Sequence, residues 1–232
     1  MTSPGSSPVA SQRIAEVVRE RILSGQLPPG TRIKQDRLAD ELQTSRIPVR
    51  EALRILDSRG LVEIRSNSGA WVTQMDLHDL SITYRVRERI EPILLVDSMP
   101  NLQPGTVDRL RALQAEIEAN DDVETFIRLD RELHWATYAG HRTPYLATMV
   151  ERMWDTTQHY RREFARLMGS HGSWMINTEH RLLVEAVASG DTDSAASVLA
   201  LHIQRTRVEL ARNPEFLRSL SPDRSEPAPP VT

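Results

Sequence analysis

Two apolar helical stripes, Leu38-Ala39-Leu42 and Val49-Leu53-Leu56, are separated by only three residues, Gln43-Thr44-Ser45. So short a connection cannot carry a strand or a long loop, and it forces two helices to cross. Ser45 stands where it would cap the second helix, Pro48 lies in its first turn, where a missing N–H costs nothing, and Gly60 ends it. The spacing predicts helices over about 35–42 and 46–59. Upstream, Ile14, Val17, Val18, Ile22 and Leu23 predict another helix, stopped at Gly25 and followed by the turn Leu27-Pro28-Pro29-Gly30. Downstream, 61–65 and 70–73 alternate with β-prone residues around Ser66-Asn67-Ser68-Gly69, a hairpin. Three helices and a two-stranded wing over residues 11–75 make a winged helix-turn-helix.

The chain has 232 residues, too many for that unit alone. From Asp76 to Arg212 only helical periodicity is found. Breaks at 100–104, 121–122, 141–144, 169–172 and 190–191 divide the stretch into six helices, near 76–97, 104–120, 122–140, 143–168, 173–189 and 191–212. Their short connections favour an antiparallel six-helix bundle over 76–213. The fold class is therefore mainly α. Residues 1–10 and 214–232, rich in Ser, Pro and Gly, read as disordered tails.

Charge divides along the same line. Residues 1–75 carry 11 basic and 8 acidic side chains, whereas 76–232 carry 18 and 24. A basic N-terminal third on an acidic body points to one module that faces a polyanion and one with another task. There are no cysteines, which excludes disulfides, thiolate metal sites and cysteine nucleophiles. No apolar run approaches the length of a membrane span and no leader signature opens the chain, so a cytoplasmic protein without a membrane partner is expected.

On the helix that begins near residue 46, Arg46, Arg50 and Arg54 fall at i, i+4 and i+8 and share one face. Such a row suits a solvated surface. It equally suits entry into a major groove, where arginine grips guanine or binds phosphate. Thr44 and Ser45 are placed for phosphate contact, Arg32 and Lys34 for the flanking backbone. The bundle holds a second constellation. Asp130 and His134 are four residues apart on one helix, and His180 and His202 lie among apolar residues on two others. Taken singly, each histidine would be satisfied by hydrogen bonds. Brought together, one carboxylate and three imidazoles would bind a divalent transition metal and leave positions open for an oxygen ligand.

The stretch Ile22–Gly30, then Leu38-Ala39, Ser45–Leu53, Leu56, Gly60-Leu61-Val62 and Gly69–Val72 resembles the GntR family of bacterial transcriptional regulators. That resemblance implies operator DNA as partner, contacts from Arg46 and Arg50, and Gly69 as the wing glycine. Where some members place a base-reading arginine at the start of the second helix, this chain has Asp36. Residues 76–212 resemble the FCD domain of the FadR subfamily, in its six-helix, VanR-like branch. The resemblance rests on Arg87 with Glu91, Leu129–His134, Glu179–Leu183, Ala186, Gly190-Asp191, Ala195-Ala196 and Leu201-His202-Ile203. It implies a metal on Asp130, His134, His180 and His202, with zinc first and nickel or manganese as other occupants. It also implies a small carboxylate effector, which Arg87 would face, and a homodimeric repressor released from its operator. A helical metalloenzyme with an appended nucleic-acid module is the alternative. No HExxH, GxSxG or P-loop motif supports it, and no general base stands beside the four metal-ligand candidates.

Overall fold

The computed structural model describes residues 8–65 and 69–214, and of residues 168 and 170–173 only the backbone. The chain divides into two compact units that meet in sequence at Asp76 and Leu77.

The first unit runs α1 (Pro8–Leu23), β1 (Arg32–Ile33), α2 (Gln35–Glu41), α3 (Arg46–Ser58), β2 (Val62–Arg65) and β3 (Gly69–Val72). Residues 8–10, expected in a tail, are helical instead. Proline at the first helical position loses no hydrogen bond, and its fixed φ suits the helix. The rest of the expected tails, 1–7 and 215–232, and the wing-turn residues 66–68 lie outside the described residues. The wing has three strands rather than two, in the order β1-β3-β2 and antiparallel, with Arg32 opposite Trp71 and Ile33 opposite Ala70. A two-residue strand is too short to produce an alternation in sequence.

The turn from α2 to α3 is closed by two backbone bonds, Thr44 N to Ala39 O (2.9 Å) and Gln43 N to Asp40 O (3.2 Å). This is a Schellman stop, and it needs a left-handed residue, normally glycine. Here Gln43 takes that role at φ 50°. Ser45 occupies the N-cap position of α3, but its side chain makes no capping bond, contrary to expectation. Behind the turn, Val49, Ala52, Leu53 and Leu56 of α3 are fully buried with Ala15 and Val18 of α1. Arg59, the C-cap of α3, donates to Glu16 of α1 at 2.6 Å, and Arg21 of α1 pairs with Glu41 of α2 at 2.8 Å. The outer face of α3 is thus held against a rigid support.

The second unit comprises α4 (Leu77–Ser98), a 3₁₀ turn (Met99–Asn101), α5 (Thr106–Glu118), α6 (Val123–Thr137), α7 (Pro144–Ser189) and α8 (Thr192–Arg212). The helices expected at 143–168 and 173–189 form one run. Its backbone leaves helical geometry at Gly169 (φ 49°, ψ −151°), so the expected loop is a kink. Asp122 and Asp191 cap α6 and α8 through the Thr125 and Ser194 amides. Helix α4 packs on α7 and α8, while α5 packs on α6 and α7.

Glu91 ties three of these elements together from full burial. Its carboxylate accepts from Arg87 Nε on α4, from Tyr138 Oη (2.8 Å) at the end of α6 and from Trp154 Nε1 (3.0 Å) on α7. The α6–α7 connection is pinned to the end of α4. There Ser98 Oγ accepts from Gly140 N (2.8 Å), and Asp97 Oδ2 accepts from Arg142 N (2.7 Å). A Cβ at Gly140 would lie 2.4 Å from Ser98 O and 2.8 Å from Asn101 C, both backbone atoms. Gly140→Ala is therefore expected to destabilise the protein by about 1–3 kcal/mol, as overpacking does. Urea unfolding checks this, and an unchanged midpoint would refute the close approach.

Candidate functional site

Helix α3 presents Arg46, Arg50 and Arg54 on its exposed side, as the spacing predicts. None of the three is without a carboxylate neighbour. Arg46 Nε lies 2.7 Å from Asp36 Oδ1, and Glu51 Oε1 stands 3.7 Å from Arg50 Nε and 3.2 Å from Arg54 Nη1. Ser45 and Lys34 are exposed and Thr44 is half-buried, all on the same unit. Arg32 is exposed too, but its guanidinium is occupied. It lies over the Trp71 ring at 5.7 Å, and Arg65 lies over the same ring at 5.3 Å. Gly69 opens β3 at φ +96°, a backbone that other residues adopt only under strain. Arg65 and Trp71 were not singled out from sequence, although both stand beside the turn signal that marks the wing.

In the bundle, α6 supplies Asp130 and His134, α7 supplies His180 and α8 supplies His202. One ligand atom from each lies within 4.8 Å of the others. His134 Nε2 is 3.8 Å and His180 Nε2 is 3.5 Å from Asp130 Oδ1, and the three imidazole centroids are 5.0–5.3 Å apart. Donors around one ion at about 2.1 Å sit roughly 3–4 Å from each other, so the set is of the right size.

The neighbours decide which nitrogens face inward. Gln114 donates through Nε2 to Glu118 Oε1 (2.7 Å) and Asn177 Oδ1 (3.1 Å), which turns its Oε1 toward His180 Nδ1 at 3.0 Å. Nδ1 of His180 is then the N–H, and Nε2 carries a lone pair. That Nε2 is buried with no hydrogen-bond partner and faces a carboxylate oxygen. Two acceptors opposed in a desolvated site suit a proton or a metal ion between them. Glu179 orients His202 in the same way, with Oε2 2.8 Å from Nδ1. Burial works against the Glu179 charge, but hydrogen bonds from Arg205 and His202 outweigh it and hold the carboxyl down at about 2. Burial drives His134 and His180 well below the usual imidazole range, with His202 adding to it. Both therefore stay neutral, as metal ligands must. Burial also raises Asp130, against the opposing pull of Arg161.

A cavity opens on this set from the side of Asp130, His134 and His202, with about 470 Å³ of empty volume that includes open solvent. Phe126, Ile127, Phe164, Ile176 and Ile203 make its apolar wall. Arg87 lines it as expected, but it is engaged by Glu91 and Thr157 and stacked on Tyr84 and Trp154 at 4.8 Å. Burial opposes the Arg87 charge, and Glu91 more than offsets it, so its pKa is raised.

Arg161 was not singled out from sequence. It stacks on Trp154 at 3.9 Å and reaches Asp130 Oδ2 at 3.4 Å through Nη1. Its Nε and the Tyr84 hydroxyl are buried with no hydrogen-bond partner, and both side chains line the cavity. Burial pushes Arg161 down to about 10, which leaves it charged at neutral pH. Among the remaining histidines, His78 is exposed and the His171 side chain lies outside the described residues. His159 is buried and pushed down to about 4 by burial and by Arg162, but it does not line the cavity. Trp154 and Tyr138 are core residues, and Trp154 is also a cavity wall.

Residues 10–72 match the family described as bacterial regulatory proteins, gntR family, and residues 82–205 match the FCD domain. The chain belongs to the GntR family and carries an FCD domain. It is a transcriptional regulator of that type, not an enzyme. It is 27% identical over 213 residues to an uncharacterised HTH-type regulator of an unstable DNA locus in Streptomyces ambofaciens, covering 89% of this chain and 85% of that one. It is 24% identical over 179 residues to the Nta operon transcriptional regulator of Aminobacter aminovorans, covering 76% and 83%. Among solved structures, E. coli McbR/YncC superposes with a TM-score of 0.77 at 22% identity, covering 92% of this chain and 99% of that one. A GntR regulator from Rhodococcus sp. RHA1 gives 0.72, also at 22%, covering 88% and 98%. These two likenesses speak for the fold. Among the described residues no helix is long and apolar enough to cross a membrane.

The role given to Gln114 has a measurable consequence. Gln114→Ala frees the His180 tautomer and is expected to weaken Zn²⁺ binding about 10- to 100-fold, the usual effect of losing a group that orients a ligand. Competition with a chromophoric chelator measures this, and unchanged affinity would contradict the orientation argument.

Proposed function

We propose that this regulator is a homodimer whose operator affinity is set by a small carboxylate bound beside a divalent metal in the FCD domain. The observation that carries the reading is the inward-facing lone pair of His180 opposite Asp130, with Arg161 in the same cavity. Asp130, His134, His180 and His202 would hold the metal. Zinc suits three imidazoles and one carboxylate best, and nickel or manganese would also fit. The metal supplies a Lewis-acidic position for an oxygen ligand. The unpartnered Nε of Arg161 and hydroxyl of Tyr84 would donate to that ligand's acceptor atoms. Arg87, already neutralised by Glu91, would contribute less. The apolar wall limits the rest of the ligand to a compact hydrocarbon body.

Operator contact is assigned to Arg46, Arg50 and Arg54 with Ser45 and Thr44 at the head of α3, and to Lys34, Arg32 and Gly69 near the wing. Two copies place two α3 helices in successive major grooves of a pseudo-palindrome. In support, α4 leaves Ile82, Val86, Ile93 and Val96 exposed along one side, a strip that a second copy would cover. An effector shifts operator affinity only by binding the DNA-bound and free conformations unequally. In this reading the protein represses, and effector binding releases it from the operator.

Gel-shift titration of the full chain against its own upstream region tests the DNA half. Arg46→Ala/Arg50→Ala is expected to abolish the specific shift, and unchanged affinity would sink the recognition-helix assignment. Elemental analysis of the purified protein tests the other half. About one divalent ion per chain is expected, lost in His134→Ala and His202→Ala. A metal-free protein whose small-carboxylate response survives both substitutions would overturn the metal reading.

A further inference from the structure

We propose that Asp36 is a specificity-determining residue of the DNA-reading surface, holding Arg46 so that its two terminal nitrogens are offered together to one guanine in each half-site. This rests on the reading of α3 as the recognition helix. The contact is made by the inner nitrogen of the guanidinium, Nε, 2.7 Å from Asp36 Oδ1. Among the described residues Arg46 Nη1 and Nη2 donate no hydrogen bond. That outer edge is the one that matches guanine O6 and N7.

The neighbouring arginines are held differently. Arg54 commits a terminal nitrogen, Nη1, to Glu51, and so cannot offer its outer pair. Arg50 stands 3.7 Å from the same carboxylate and is not fixed by it. Of the three, Arg46 alone has its inner nitrogen ion-paired at close range while, among the described residues, both terminal nitrogens donate no hydrogen bond.

The pair does not serve the fold. The Arg46 and Asp36 side chains are 74% and 63% exposed, and an ion pair so placed adds next to nothing to stability. A carboxylate on a face that meets phosphate also lowers affinity for every sequence alike. Its gain must therefore be local. Fixing a long side chain before binding removes the ordering cost on the correct base, and it prevents the guanidinium from swinging to a phosphate at a wrong one.

Site selection from a random duplex library tests this with the full chain, as wild type, Asp36→Asn, Asp36→Ala and Arg46→Ala. Binding to the selected duplex and to a scrambled duplex is then measured at one salt concentration. The wild type is expected to select a guanine at one position of each half-site, lost in Arg46→Ala. Both Asp36 variants should weaken that same preference about two- to five-fold, the range that an exposed ion pair can supply. They should meanwhile bind the scrambled duplex more tightly, because a negative charge has gone. If the preference survives in both Asp36 variants and the two duplexes tighten equally, Asp36 is only a repelling charge and the proposal falls. If Arg46→Ala itself changes no preference, the recognition-helix reading fails first.

Discussion

The bundle depends on the buried carboxylate of Asp130. A lone anion at that depth would be untenable, and its surroundings are arranged against that cost. Arg161 approaches one oxygen, while His134 and His180 stand at the other with burial keeping their rings neutral. The neutral rings add lone pairs, and Arg161 supplies the opposing charge. Four donors that converge at the edge of a cavity are arranged as a set able to hold a cation, which a packed core is not. The Glu91 cluster next to it is the contrasting case. There three donors from three elements converge on one carboxylate, and the arrangement satisfies itself.

The N-terminal unit solves a different problem with the same residue types. Around the outer face of α3 the carboxylates, Asp36 of α2 and Glu51 of α3, sit at the surface, where they contribute little to folding. Asp36 pairs with Arg46 and Glu51 with Arg54, so two of the three arginines meet a carboxylate at close range. The two units thus use Asp–Arg and Glu–Arg pairs in opposite ways, buried in the bundle to define a cavity and exposed on the helix to define an orientation.

Most of this architecture is legible in the residues, for stated reasons. The face of α3 follows from a period of about 3.6 and needs no tertiary knowledge. The four metal-ligand candidates stood out because histidine among apolar residues is rare and Asp130 and His134 share a helix face. What escaped depends on contacts between elements far apart in sequence. Arg161 is one of 28 arginines, with no local pattern to mark it. Gln114 matters only because α5 brings it to His180. Glu179, adjacent to His180, was the nearest to being visible. Strand β1 is shorter than any alternation, and the left-handed stop at Gln43 was hidden because glycine is the residue that signals one.

The placement of two indoles has a consequence of another kind. Of the four tryptophans, Trp154 forms a wall of the FCD cavity, with Arg161 stacked on its ring, and Trp71 lies in the wing between Arg32 and Arg65. Each chromophore sits against a cation that the corresponding ligand would disturb. Each unit therefore carries an indole whose emission would report a change at the adjacent cation. Replacing the other three tryptophans by phenylalanine would leave the signal of Trp71 or of Trp154 alone, to be followed without any external label.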